Sequence, residues 1–362
     1  MFTHSRFIII SFLILPLYCY ERNTTNIIDK REKNHTIAKY VTTLLFSLFM
    51  LYGAFGNILM AIVLCNRDNS YSRSFILITL QLIICDLLTF LPVIVVLPII
   101  LQAKSNSDVH QTTWIIRTSS TLKPFTFLSL LHFTLLLTLN RFVALILPKY
   151  NAFFESAKLY FIIVFMWFSA LVFSIVDFYF CTRSFSILKL DWTKNCTRQS
   201  SEIFLRLRYL WLSFLPIAMF VMYVAIFCSI RRKRRFTSDI NQAQKISRTY
   251  TGQRTNDAKS SSYEQSMLIQ AAVICGVMEI GIILHNLLPF ANQIFDHDSY
   301  IPFAIFINCY SIFSRAVLPT TYFIYNKQAR NTVKYLFLRL RLRIMVGRGA
   351  VVPEAKQICD IG

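Results

Sequence analysis

The chain has 362 residues, 55% of them hydrophobic and only 15% charged, with a mean hydropathy of +0.50 and 33 phenylalanines. A soluble protein of this length carries far more surface charge and divides into more than one core, so the composition indicates an integral membrane protein. The net charge of +20 does not imply a nucleic-acid partner, because the basic residues sit next to the apolar blocks.

Residues 1–20 start with His4 and Arg6 and continue FIIISFLILPLYCY, an apolar run of about 14 residues. That is too short to span a bilayer and has the form of a signal-peptide core. Residues 21–37 form a polar tail holding Asn23-Thr24-Thr25 and Asn34-His35-Thr36. Both are N-x-Thr glycan acceptors, usable only in the secretory lumen, and they agree with a signal peptide before them.

Seven long apolar blocks follow, near 38–65, 75–101, 117–147, 158–180, 204–230, 263–290 and 300–325. Each is long enough for a spanning helix, and lipid-facing backbone must hydrogen-bond to itself. Pro216 in the fifth and Pro319 in the seventh are tolerated where neighbouring helices satisfy the freed carbonyls. The blocks lack period-two alternation, which excludes an outer-membrane barrel. The expected architecture is an all-α membrane protein, a seven-transmembrane-helix bundle over 38–330, with a basic tail over 331–362.

Lys and Arg set the orientation. One side holds Arg67, Arg73, Lys149 and Lys158, nine basic residues in 231–262 and eight in 326–362. The loops of the other side hold one, four and none. The positive-inside rule places the N-terminus outside and the C-terminus inside. The run Arg231–Arg235 reads as a solvated helix end held by anionic lipid. From Thr332 to Leu340 the tail has the pattern of an amphipathic helix on the inner leaflet, burying Val333, Leu336, Phe337 and Leu340.

Polar residues inside these blocks are costly and mark work to be done. In the third block Lys123 and Arg141 are 18 residues apart, five helical turns, so they share one face about 27 Å apart. Phe127 belongs to the same stripe. Lys123 has two readings, a cation within reach of a small ligand or a lysine snorkelling to the outer headgroups. Asp86 is the only acid of the second block, and Asn308, Ser311, Arg315, Pro319 and Tyr322 form a helical seam in the seventh. A buried acid and a buried guanidinium each need a partner, so Asp86 is expected to pair with Arg315 close to Asn57. Glu279, with His285 nearby, neutralises Lys123, meets a ligand, or is a packing-stage hydrogen-bonding residue. Cys181 and Cys196 bracket a polar outer loop facing an oxidising compartment, where a bridge between them is expected. Asn195-Cys196-Thr197 is a third glycan acceptor. No catalytic motif, metal-ligand spacing or cofactor loop is present, so neither an enzyme nor a metal or cofactor is expected.

Gly56-Asn57, Asp86, Asn140-Arg141-Phe142 and Leu318-Pro319-Thr320-Thr321-Tyr322 resemble the marks of a rhodopsin-type G-protein-coupled receptor. More narrowly, LNRFVALILPKYNAFF, Cys181, Trp192, Cys196 and Glu264 before LIQAA resemble the nematode serpentine receptor class X chemoreceptors. The resemblance covers about residues 45–330. It implies a plasma-membrane chemoreceptor, in a sensory-neuron cilium, that binds a small molecule and activates a heterotrimeric G protein. It implies a coupling switch of Asn140, Arg141, Phe142, Pro319 and Tyr322, with Glu264 pairing Arg141 in the closed state. Ile116 stands where rhodopsin-type receptors have a loop-bridging cysteine, leaving Cys181–Cys196 as the candidate bridge. The alternative reading is a transporter or channel whose path runs past Asp86, Arg315 and Glu279.

Overall fold

The computed structural model describes residues 27–66, 72–102, 114–155, 157–186, 190–196, 201–245, 269–270, 272–288 and 297–346. The main elements are α1 (Ile27–Leu64), α2 (Arg73–Gln102), α3 (Trp114–Ile146) and α4 (Lys158–Phe180). A hairpin of β1 (Cys181–Ser186) and β2 (Asp191–Cys196) follows, then α5 (Ser201–Lys245) and α6 (Ala272–Leu288). The chain closes with α7 (His297–Phe313), a 3₁₀ turn at Ser314–Ala316, α8 (Val317–Tyr325) and α9 (Lys327–Val346). Six of the resulting helical segments are long and apolar enough to cross a membrane, Tyr300–Tyr325 counting as one, and α6 is a shorter apolar helix.

Helix α3 is the axis of the bundle. More than half of its apolar window is buried, 56%, against 22% for α4. The difference is written in the side chains: α3 carries Ser129, His132, Thr134, Thr138 and Asn140 on buried positions, whereas α4 turns Phe161, Val164, Phe165 and Phe168 outward. An apolar side chain loses nothing by facing lipid, but a polar one must find a partner inside. The larger core gathers Met60, Leu64, Ile78, Leu82, Leu131, Phe133, Leu136 and Tyr322. A second core, around Phe46, Phe90, Val96, Ile100, Ile301 and Ile312, takes in Leu190 of the hairpin.

Near its C-terminal end the seventh span is broken for a reason the sequence supplies. Pro319 has no N–H to give the carbonyl of Arg315, so the helix passes through the 3₁₀ turn there. The orphaned carbonyl is taken by Asn57 of α1, whose Nδ2 donates to Arg315 O at 3.0 Å and to Gly53 O at 2.9 Å. Gly56 makes room for the ring: a Cβ there would lie 3.2 Å from Pro319 Cγ.

Four local expectations need correction. Helix α1 begins at Ile27, inside the stretch read as a tail, because Lys-Arg-Glu-Lys are good helix formers and no Pro or Gly there stops the helix. Asn34 is therefore helical, and Asn23 lies outside the described residues. Helix α5 continues through the basic run to Lys245, well past the apolar block. The loop after α4 is a two-stranded hairpin, an exception to the all-helical reading, with Cys181 paired with Cys196 and Phe185 with Trp192. Helix α9 runs over Lys327–Val346, not 332–340: Asn326 Oδ1 caps it by accepting from Ala329 N at 3.0 Å. Its Ala329, Val333 and Leu336 pack on the larger core, while Phe337, one step round the helix, is turned away from the protein, and the side chain of Leu340 lies outside the described residues.

Candidate functional site

The hairpin and Arg141 mark opposite ends of the bundle, because the hairpin touches the first half of α3 and Arg141 lies five turns further on. At the hairpin end, the Cys181–Cys196 disulfide closes the strands' base. Leu190, just before β2, is wholly buried and adopts a left-handed backbone with φ of 49°. A branched residue holds that conformation only when its surroundings impose it. Here the second core encloses the side chain, and Asn308 Nδ2 donates to its carbonyl at 3.3 Å. The hairpin is therefore anchored into α7 as well as tethered at its base.

A buried acid clasps the same hairpin to its neighbours. Asp177, near the end of α4, takes Arg183 of β1 at 2.8 Å and Arg208 of α5 at 2.6 Å, one guanidinium to each oxygen. Burial and the neighbouring Arg208 pull the Arg183 guanidinium below its ordinary pKa, and Asp177 opposes them. This cluster was missed in the sequence although its signal was present. Asp177 is the only acid in KLYFIIVFMWFSALVFSIVDFYF, the same mark that singled out Asp86.

Between α2, α3, α6 and the α7–α8 segment lies a cavity of about 50 Å³. Its apolar wall includes Leu82, Phe127, Leu130, Ile274, Met278 and Ile307, and its polar wall includes Asp86, Thr134, His285, Tyr310, Ser311 and Arg315. Arg315 Nη1 stands 3.7 Å from Asp86 Oδ1, an ion pair too long for a good hydrogen bond. Asp86 Oδ1 and Arg315 Nε have no hydrogen-bond partner among the described residues.

Of the residues read from the sequence toward a ligand, Phe127 and His285 line this cavity and Lys123 and Glu279 do not. Lys123 Nζ instead lies over the Trp192 ring of the hairpin, 5.7 Å from its centroid. Glu279 is turned aside because its neighbours Met278 and Gly281 take the inward positions of α6, and each residue advances about 100° round a helix. Asn308 serves the hairpin rather than the cavity.

At the other end Arg141 lies across the Phe75 ring of α2, its Cζ 4.3 Å from the centroid. Asn140 is buried, and Phe142 packs on the larger core. One turn back along α3, Thr138 pairs with Tyr223 of α5 at 2.9 Å. Its hydroxyl also donates to Thr134 O at 2.8 Å, and Thr134 lies 3.4 Å from Met278 of α6. Pro319 and Tyr322 are buried beside this core, and Gln270 Nε2 reaches Thr321 O at 3.3 Å. Glu264 lies outside the described residues. His132 forms a third polar group on α3 that the sequence reading passed over. Trp211 Nε1 donates to its Nε2 at 3.3 Å, and Ser169 Oγ stands 3.3 Å from its Nδ1, joining α3 to α4 and α5.

A bundle of six spanning helical segments and one shorter apolar helix, with a strand hairpin anchored in one end and a cavity between its helices, defines a seven-transmembrane receptor fold. Squid rhodopsin, known from a crystal structure, superposes with a TM-score of 0.67 at 11% identity, over 84% of this chain and 87% of that one. Residues 46–271 match the serpentine type 7TM GPCR chemoreceptor Srx family, and the chain belongs to it. No curated protein matches the sequence. The protein is thus a multi-pass membrane chemoreceptor rather than an enzyme, and membership of this family sets aside the transporter or channel alternative.

Proposed function

We propose that the hairpin end faces outside the cell and the Arg141 end faces the cytoplasm, in the plasma membrane, and that a small molecule bound in the cavity drives a heterotrimeric G protein. In this reading residues 1–20 are a leader, 21–37 lie outside with Asn23 open to a glycan, Asn195 is a further acceptor, and 331–362 lie inside. One observation carries the coupling. Thr134 lines the cavity, and through Thr138 and Tyr223 its hydrogen bonds lead to within one turn of Arg141. Met278 of α6 lines the same cavity, so an occupant touches both the helix that holds Arg141 and the helix packed against it.

A ligand shifts a conformational equilibrium only by binding one state better than the other. Displacement of Met278 by an occupant loosens its contact with Thr134 and that of Cys275 with Met219, 3.9 Å apart, which together hold α6 against α3 and α5. Outward movement of α6 then opens a cleft at Asn140, Arg141 and Phe142, with Pro319 and Tyr322 at its far wall and Glu264 releasing Arg141. The test is Arg141→Ala expressed in cells with a G-protein nucleotide-exchange readout. Surface density is expected to stay at the parent level while ligand-driven exchange falls to background; exchange at the parent level would refute the role of Arg141.

A further inference from the structure

The electrical balance of the cavity restricts what it can hold. Its acid and its guanidinium, Asp86 and Arg315, are 98% and 94% buried, with Arg315 Nη1 3.7 Å from Asp86 Oδ1. A carboxylate ligand that gained the guanidinium would have to lie against Asp86, and an ammonium ligand that gained the carboxylate would lie against Arg315. In a dry interior each like-charge contact cancels the attraction that drew the ligand in. An uncharged group escapes both penalties. A hydroxyl can donate to Asp86 Oδ1 and accept from Arg315 Nε, both of which lack a hydrogen-bond partner among the described residues.

The remaining lining agrees. His285, Tyr310 and Ser311 are uncharged hydrogen-bonding side chains in the ordinary neutral state of the imidazole, and Tyr310 already spends its proton on Val277 O at 2.7 Å. Thr134 and Ser314 add two more hydroxyls, and Leu82, Phe127, Leu130 and Ile307 belong to the apolar part of the wall. Size sets a second limit: about 50 Å³ admits roughly three to five water-sized groups, so the occupant is small.

We propose that this cavity is a binding site for a small uncharged hydroxyl-bearing molecule with a short apolar body, held between Asp86 and Arg315. The inference rests on the receptor reading above for its biological meaning. Lys123 faces the hairpin, outside the cavity.

The experiment uses the full chain purified in lipid nanodiscs and three probes of matched length: 1-butanol, butyrate and butylammonium. Thermal melting is followed against concentration of each. For the parent chain only butanol is expected to raise the melting temperature, saturably. Asp86→Asn leaves the site net positive, so butyrate should become the better ligand by at least tenfold in half-saturating concentration. Arg315→Gln leaves it net negative and should favour butylammonium in the same way. Ser311→Leu fills the cavity without touching the ion pair and should abolish the butanol effect, which also serves if a charge variant fails to fold. Protection of the parent chain by butyrate or butylammonium as strong as by butanol overturns the proposal, and so does undiminished butanol protection in Ser311→Leu. A parallel nucleotide-exchange assay separates the two readings. Butanol protection without any exchange supports the site and sinks the signalling role, whereas exchange driven by an ionised ligand with no butanol protection does the reverse.

Discussion

Asp86 and Asp177 are buried to nearly the same degree, 2% and 3% exposed, yet their surroundings differ in kind. Asp177 has a guanidinium on each oxygen, at 2.8 and 2.6 Å, and ties α4 to the hairpin and to α5. Asp86 has one guanidinium at 3.7 Å and a cavity beside it. A carboxylate that takes a charge-assisted bond on each oxygen is held by both, and it fixes geometry. One that is desolvated but under-satisfied keeps its affinity for a further group. The hairpin end is thus built to hold still, and the middle of the bundle is built to respond.

Removing the acid at the rigid end is expected to do the most damage. Asp177→Ala leaves Arg183 and Arg208 near each other without a counter-ion. The two guanidinium side chains are 18% and 21% exposed, which places the loss at the low end for a broken buried pair, about 3 kcal/mol. Thermal melting of the purified chain measures it; an unchanged transition would mean that Asp177 does not clasp the hairpin. Around Asp86 packing can be separated from polar satisfaction. Phe90, one turn along α2 from Asp86, is buried against Gly53, where a Cβ would approach its Cζ to 2.7 Å. Gly53→Ala should therefore cost about 1–3 kcal/mol by overpacking, and a neutral outcome would show that α1 and α2 are loosely packed there. The smallest effect is reserved for the joint replacement Asp86→Asn with Arg315→Gln. It removes both charges together and should stay within about 1 kcal/mol of the parent in the same melting assay. A loss as large as that of Asp177→Ala would erase the contrast between the two acids.

Much of this was legible in the sequence, for reasons that depend on local rules. Apolar blocks of spanning length gave the helices because a bilayer permits few other structures. The polar seam of the seventh block pointed to Arg315, and the lone acid of the second to Asp86, because unpaired charge in lipid is so costly that few partners are admissible. Asp177 carried the same signal and was overlooked, since its partner Arg183 lies in what read as a polar outer loop and Arg208 lies within the fifth apolar block, far from it in the chain. Lys123 and Glu279 were drawn toward a ligand by their charge, but rotation about the helix axis turns Glu279 away, and the hairpin supplies Lys123 with an aromatic face.

From the sequence by itself came the membrane, the spans and the family resemblance. All of these depend on composition and spacing along one chain. Only the tertiary structure decided which of two equally buried acids is filled and which is left with a gap, because that depends on how several helices converge within a few ångströms. Hydrophobic periodicity fixes which face of a helix turns inward, but not what it meets there.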